Sequence, residues 1–183
     1  MNVLHTIALL AAAYGAVFLA TEVNVLRSLL GAQFDLLPAL MVYCGLSANL
    51  ATLTAVAVFG GFLFDSLSAN PLGITFVPLF LVGFFVHFNR ELILRDEAYA
   101  QFVLGTGGSI ATPILSVLLL LGGGHKPLIG WGSIWQVAVM AVIGGCCTPL
   151  CFRLFDRIHR TFAYQPVPET SFRPDREIKR GRA

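Results

Sequence analysis

The residues best placed to do chemistry lie around an aspartate at the end of an uncharged apolar run. Asp65 is the first charged residue after Asp35, and hydroxyl and amide side chains follow it at Ser66, Ser68 and Asn70. A carboxylate in hydrocarbon costs free energy, so its presence predicts either the membrane surface or a contact with a partner. Because the neighbouring groups can donate hydrogen bonds to it, we predict a rigid polar turn that shapes a surface. The alternative is a carboxylate that faces water or caps a turn.

A second candidate is Ser109, which follows Gly107 and Gly108. This Gly-x-Ser order is similar to that of intramembrane serine proteases, in which a His on a facing helix acts as the base. The fifth and sixth predicted helices contain no His, and the glycine-rich run lacks the Lys of a phosphate-binding loop. We favour the alternative, in which these residues and Gly105 allow close packing of helices. We therefore predict that the protein is not an enzyme.

The cysteine and histidine residues do not have the spacing of a metal site. There is no Cys-x-x-Cys pair, and no His stands at ligand spacing beside a cysteine. We interpret the cysteines as buried small apolar residues and the histidines as interfacial, with a role for His87 beside Asn89 and Arg90 as the alternative. No metal or other cofactor is predicted. The residues concerned are Cys44, Cys146, Cys147, Cys151, His5, His87, His125 and His159.

The composition indicates a membrane protein. Apolar residues make up 56% of the 183-residue chain and charged residues 12%, against about 25% charged in an average soluble domain. Eight of the twelve Lys and Arg residues lie at or after Arg153. We predict an all-α integral membrane protein whose C-terminal end lies in the cytoplasm.

Six membrane-spanning helices are predicted. The region from Phe34 to Leu67 is too long for one untilted span of about 20 residues and has a polar break at residues 47–49, so we predict two short helices there. With the C-terminal end inside, ten of the twelve Lys and Arg residues fall on the cytoplasmic side, as the positive-inside rule expects. The charges alone leave the side of the N-terminus open. The four single crossings are residues Val3–Ala20, Leu72–Phe88, Ala100–Leu121 and Ile134–Phe155.

Local signals mark the fourth helix. Asn70 followed by Pro71 is typical of a helix start, with Asn as the cap and Pro at the first helical position. Such a helix carries an aromatic stripe, because every fourth position is a phenylalanine. The stripe faces lipid or, alternatively, packs against a partner helix. Its members are Phe76, Phe80, Phe84 and Phe88.

Two regions follow from this pattern. Residues 1–163 are predicted to form one transmembrane domain. Residues 164–183 are polar and basic and carry little that could pack, so we predict a disordered cytoplasmic tail. The Lys and Arg residues of this tail are expected to contact anionic lipid headgroups.

The segment Gly61–Gly73, with the sequence GFLFDSLSANPLG, resembles the signature of MreD, the small rod-shape-determining membrane protein of bacteria. Two further segments agree with the family in order and position, Leu36–Tyr43 and Pro149–Arg157. Ala69 departs from the family pattern, which commonly has Gly there. The resemblance covers roughly residues 1–163.

The resemblance implies six transmembrane helices with both termini in the cytoplasm of a bacterial inner membrane. It also implies a fold similar to the substrate-capturing subunits of energy-coupling-factor vitamin transporters. In function, it implies a non-enzymatic scaffold of the peptidoglycan elongation machinery that binds MreC and helps to maintain rod cell shape. RodA, its partner transpeptidase and the actin-like MreB are further partners that it implies, beside membrane lipids and without nucleic acid. The residues predicted for the partner contact or the turn are Asp65, Ser66, Ser68, Asn70, Pro71 and Gly73.

The alternative function is a small-molecule (vitamin) binding subunit of an energy-coupling-factor-type transporter. Such a subunit has the same size and span number, but it should enclose a pocket with several convergent polar groups. The predicted outer loops offer few of these groups. They are Glu22, Asn24, Arg27, Gln33 and Asp35.

Overall fold

The chain folds into α-helices. The computed structural model describes residues 3–22, 31–33, 35–68, 71–93, 97–124 and 130–162, and these residues contain helices and no strand. The all-α prediction is confirmed for this part of the chain. The helices are α1 (Val3–Glu22), α2 (Leu37–Ser47), α3 (Leu50–Leu67), α4 (Phe76–Phe88), α5 (Ala98–Gly122) and α6 (Trp131–Phe162).

Four of these helices have the length and composition of a membrane span, namely α1, α3, α5 and α6. The other two are apolar but short, with 11 residues in α2 and 13 in α4. At 1.5 Å per residue they reach only about 16 and 20 Å, which is less than the roughly 30 Å of a bilayer core. The described residues therefore support a multi-pass membrane protein, and the count of six crossings stays a prediction.

Helix α2 lies at the centre of the bundle. All its residues from Leu37 to Leu46 are buried, and every other helix packs against it. A helix that is apolar all round is stable only when it is enclosed in this way. The hydrophobic core forms around it, with Leu9, Leu53 and Leu79 fully buried.

The predicted break between α2 and α3 is confirmed. Ala48 has an extended backbone, and its N–H donates to the Cys44 carbonyl oxygen at 2.8 Å. Asn49 then caps α3, because its side-chain oxygen accepts a hydrogen bond of 3.1 Å from the Thr52 N–H. At this break the backbone of Ala48 thus closes the end of α2, and the side chain of Asn49 caps the start of α3.

The predicted start of the fourth helix was wrong. Residues Pro71–Thr75 form turns, and α4 begins at Phe76. The reason is the backbone of Gly73, which has a φ of 93° and cannot continue an α-helix. Asn70, the predicted cap, lies outside the described residues.

The bounds predicted for the first and fifth helices lie within two residues of those of α1 and α5, whereas the bounds predicted for the sixth helix differ by more. Helix α6 continues to Phe162 instead of ending near Phe155. The predicted tail, residues 164–183, lies outside the described residues. The same is true of Arg27, Arg95 and Lys126, which are part of the positive-inside prediction.

Candidate functional site at the turn between α3 and α4

The carboxylate of Asp65 is buried and bound by three donors. Only 1% of Asp65 is exposed, so the alternative of a carboxylate facing water does not hold. The backbone N–H groups of Gly73 and Thr75 donate to its Oδ2 atom at 2.8 and 3.1 Å, and the Thr75 hydroxyl donates to its Oδ1 atom. These hydrogen bonds replace the water that burial removes. They also join the last turn of α3 to the segment that leads into α4.

Two glycines make this geometry possible. Gly73 adopts a left-handed φ, which redirects the following residues so that the Thr75 N–H reaches the same carboxylate oxygen as the Gly73 N–H. Gly61 lets α3 approach the start of α4, because a Cβ added there would lie 2.7 Å from the Phe76 Cα atom. Gly61 and Asp65, four residues apart on α3, therefore both contact the backbone at or just before the start of α4.

The predicted polar turn exists, but the donors differ from those predicted. The Ser66 hydroxyl is exposed and donates to the Leu63 carbonyl oxygen at 2.8 Å. The Ser68 hydroxyl donates to the Asp65 carbonyl oxygen at 3.3 Å, which is a backbone atom. Thr75, ten residues after Asp65, is the hydroxyl donor that sequence reasoning missed. The available signal was a hydroxyl residue directly before an apolar run.

The predicted aromatic stripe is present and extends onto α3. Consecutive ring centroids of Phe76, Phe80, Phe84 and Phe88 lie 6.0, 5.8 and 6.4 Å apart, and the Phe62 ring stacks on Phe76 at 6.5 Å. We call these five residues the aromatic ladder. Phe62, Phe84 and Phe88 are exposed, whereas Phe76 and Phe80 are half-buried and pack against the core, so the two ends of the ladder are its exposed parts. The opposite face of α4 packs into the core through Pro78, Leu79, Val82, Gly83 and Val86.

An open groove lies between α1 and α3 beside the ladder. It has a volume of about 590 Å³ and is lined only by apolar side chains. Because no polar groups converge there, it does not have the character of a vitamin-binding pocket. The lining residues are Leu10, Ala55, Val58, Phe59, Phe62 and Leu63.

The serine that resembles a protease nucleophile is enclosed by helix packing. Ser109 is fully buried, and its side chain lies against Gly144 of α6. Gly105 and Gly108 are also buried, as the close-packing interpretation expects. Gly107 is different, since a Cβ added there would meet no atom within 4 Å. The prediction that Gly107 packs against a helix was therefore wrong.

The cysteines differ in burial, and His87 contacts the end of α2. Cys44 is buried as predicted, whereas Cys146 is exposed, and all four cysteines are free. The described residues contain no group of three or more side chains that could hold a metal ion. The Nδ1 atom of His87 donates to the Gly45 carbonyl oxygen at 3.1 Å, so His87 caps the end of α2.

A second buried carboxylate, Asp35, stands before α2. Its Oδ1 atom accepts a hydrogen bond of 2.8 Å from the Leu37 N–H. Burial raises the pKa of Asp35 to about 6, and the hydrogen bond from Leu37 opposes that rise. Sequence analysis had placed Asp35 in an outer loop, but only 3% of it is exposed.

No match was found when the chain was compared with models of protein families, with curated proteins and with solved structures. A function is therefore proposed from two features. One is the turn in which Gly73 and Thr75 donate to Asp65, which we call the Asp65 turn, and the other is the aromatic ladder.

Proposed function

We propose that the protein is a non-enzymatic scaffold of the bacterial inner membrane, similar to MreD, which binds MreC and helps to maintain rod cell shape. The observation that carries this proposal is the hydrogen-bonded Asp65 carboxylate, which lies in the segment that resembles the MreD signature. A carboxylate that is closed to solvent and bound by backbone donors is suited to holding a shape.

The aromatic ladder is the surface that we assign to the partner. Large exposed aromatic side chains pack well against another helix, and aromatic residues are common among those that dominate binding. The Asp65 turn connects α3, which carries Phe62, to α4, which carries the other four rings. The turn therefore sets how the two parts of the ladder align. A transmembrane helix of MreC is the occupant we propose.

The wider assembly belongs to the same proposal. We propose that the protein contacts RodA, its partner transpeptidase and MreB, either directly or through MreC. Six crossings with both termini in the cytoplasm would place the Asp65 turn on the outer face of the membrane.

The experiment compares Asp65→Ala with Ser66→Ala in the native host. The Asp65 variant loses the acceptor of three hydrogen bonds, so we expect weaker co-purification with MreC, rounded cells and an unchanged amount of protein in the membrane. Ser66 is the matched control, because it is adjacent and exposed and bonds only locally to Leu63 among the described contacts. We expect the Ser66 variant to behave like the wild type.

Two results would argue against the proposal. Rod-shaped cells with normal MreC recovery in the Asp65 variant would remove this residue from the function. A vitamin retained by the purified protein in native mass spectrometry would support the transporter subunit instead.

A further inference from the structure

Helices α5 and α6 meet where glycines face hydroxyl side chains. A Cβ added to any of three glycines would overlap a hydroxyl oxygen on the opposite helix. A Cα hydrogen of each glycine occupies that direction, so three Cα–H groups point at three oxygens. We call this set the glycine–hydroxyl seam. Its pairs are Gly105 with Thr148, Gly144 with Ser109 and Gly145 with Thr106.

The hydroxyls of the seam are free to accept these contacts. Thr148 donates its own hydrogen to the Gly144 carbonyl oxygen at 2.7 Å, and Thr106 donates to Phe102 at 2.9 Å, so both keep lone pairs. Ser109 is fully buried, and its hydroxyl has no conventional hydrogen-bond partner among the described residues. A buried hydroxyl without a partner is costly, and the Cα–H of Gly144 is the group that it faces.

Each of the two helices also lacks one backbone hydrogen bond at the seam. Pro113 lies inside α5 and Pro149 inside α6. Proline has no N–H, so the carbonyls four residues earlier, at Ser109 and Gly145, lose their usual helical donor. Each helix is thus weakened at a seam residue, where the other helix packs closely against it.

We propose that the glycine–hydroxyl seam holds α5 and α6 together as one close-packed pair, with Ser109 and Gly144 as its central contact. The seam replaces stabilisation that the prolines remove from each helix. This inference does not depend on the proposed scaffold function, since it concerns other helices and another readout.

The test is the thermal stability of the purified full chain in detergent. Gly144→Ala places a methyl group on the Ser109 side chain, whose Cβ is 2.7 Å from the added carbon. We expect the apparent Tm to fall by about 5 °C or more. Gly107→Ala and Gly132→Ala are matched controls on the same two helices, because an added Cβ meets nothing within 4 Å at either position. These controls should stay near the wild-type Tm.

Exchanging the sizes of the two residues distinguishes the loss of this contact from a general destabilisation of α6. In the double variant Ser109→Gly with Gly144→Ala, the space that the new methyl group needs is vacated, so most of the lost Tm should return. Ser109→Ala with Gly144→Ala should recover less, because the Ser109 Cβ remains. If Gly144→Ala is tolerated as well as Gly107→Ala, or if the size exchange is no more stable than Gly144→Ala, the seam does not hold the two helices.

Discussion

Asp65 and Asp35 are both buried carboxylates, but they sit in different surroundings. Asp65 accepts hydrogen bonds from two backbone N–H groups and a hydroxyl, and this network fixes the turn before α4. At Asp35 the loss of water outweighs the hydrogen bond from Leu37, and the pKa rises to about 6. Asp65 therefore fixes a turn through its hydrogen bonds, while burial of Asp35 makes stability depend on pH.

We predict that Asp35→Asn removes a pH dependence of stability. The pKa of Asp35 is raised from 3.8 to about 6 on folding, so the folded state favours the protonated form. The stabilisation from that proton is complete below the unfolded pKa and is lost as pH rises through about 6. The loss is on the order of 3 kcal/mol. Asparagine is uncharged and keeps an oxygen that can accept from the Leu37 N–H.

The measurement is the apparent Tm of both proteins between pH 4 and 8. The wild type should lose stability relative to Asp35→Asn as pH rises, and the exposed Glu91→Gln variant should follow the wild type. Parallel pH profiles for the wild type and Asp35→Asn would show that Asp35 is not the titrating group.

At the scale of the helix, α4 is divided into a packed face and an exposed one. Its small and aliphatic residues are buried, whereas Phe84 and Phe88 of the ladder are exposed, and Phe76 and Phe80 are half-buried against the core. The ladder extends onto α3 because Gly61 allows α3 to lie against the start of α4, where the Phe62 ring stacks on Phe76. Close backbone approach at one glycine thus extends an aromatic surface over two helices.

We predict that Phe84→Ala weakens the co-purification of MreC roughly tenfold, as loss of a central aromatic contact typically does. Phe84 stacks between Phe80 and Phe88 in the ladder. Phe85→Ala is the control, since Phe85 is 67% exposed on the same helix but lies outside the ladder. Equal recovery of MreC with both variants would mean that the ladder faces lipid only.

At the scale of the whole molecule, the short helices decide the topology. Consider a chain whose N-terminus is cytoplasmic. If α2 and α4 both cross the membrane, the break at Asn49 lies on the cytoplasmic side and the turn at Leu72 lies on the outer side. If only the four long helices cross, these two positions exchange sides. Both arrangements leave the two termini in the cytoplasm, so locating the termini alone does not distinguish them.

We predict six crossings, and single cysteines at positions 49 and 72 test this in a variant that lacks the native cysteines. Both residues are exposed in the structure and lie outside the helices, so a cysteine at either position is not covered by the rest of the described protein. A reagent that cannot pass the membrane should label position 72 in intact cells and position 49 only after permeabilisation. The reverse pattern would establish four crossings and would place the Asp65 turn in the cytoplasm.

Sequence alone determined the features that depend on local composition. The apolar content predicted apolar helices, four of which are long enough to cross a membrane. The polar residues at 47–49 predicted the break after α2, and the fourfold spacing predicted the phenylalanine stripe. These predictions succeeded because hydropathy and helical periodicity are properties of neighbouring residues.

Only the tertiary structure decided which groups satisfy Asp65, where α4 begins and which glycines pack. The donor Thr75 lies ten residues from Asp65, and it reaches the carboxylate because Gly73 adopts a positive φ that leads the chain back. Likewise, the same glycine-rich run puts Gly108 inside the bundle and Gly107 outside it. A residue type specifies what a side chain can bond to, whereas the path of the backbone determines which partner comes within reach.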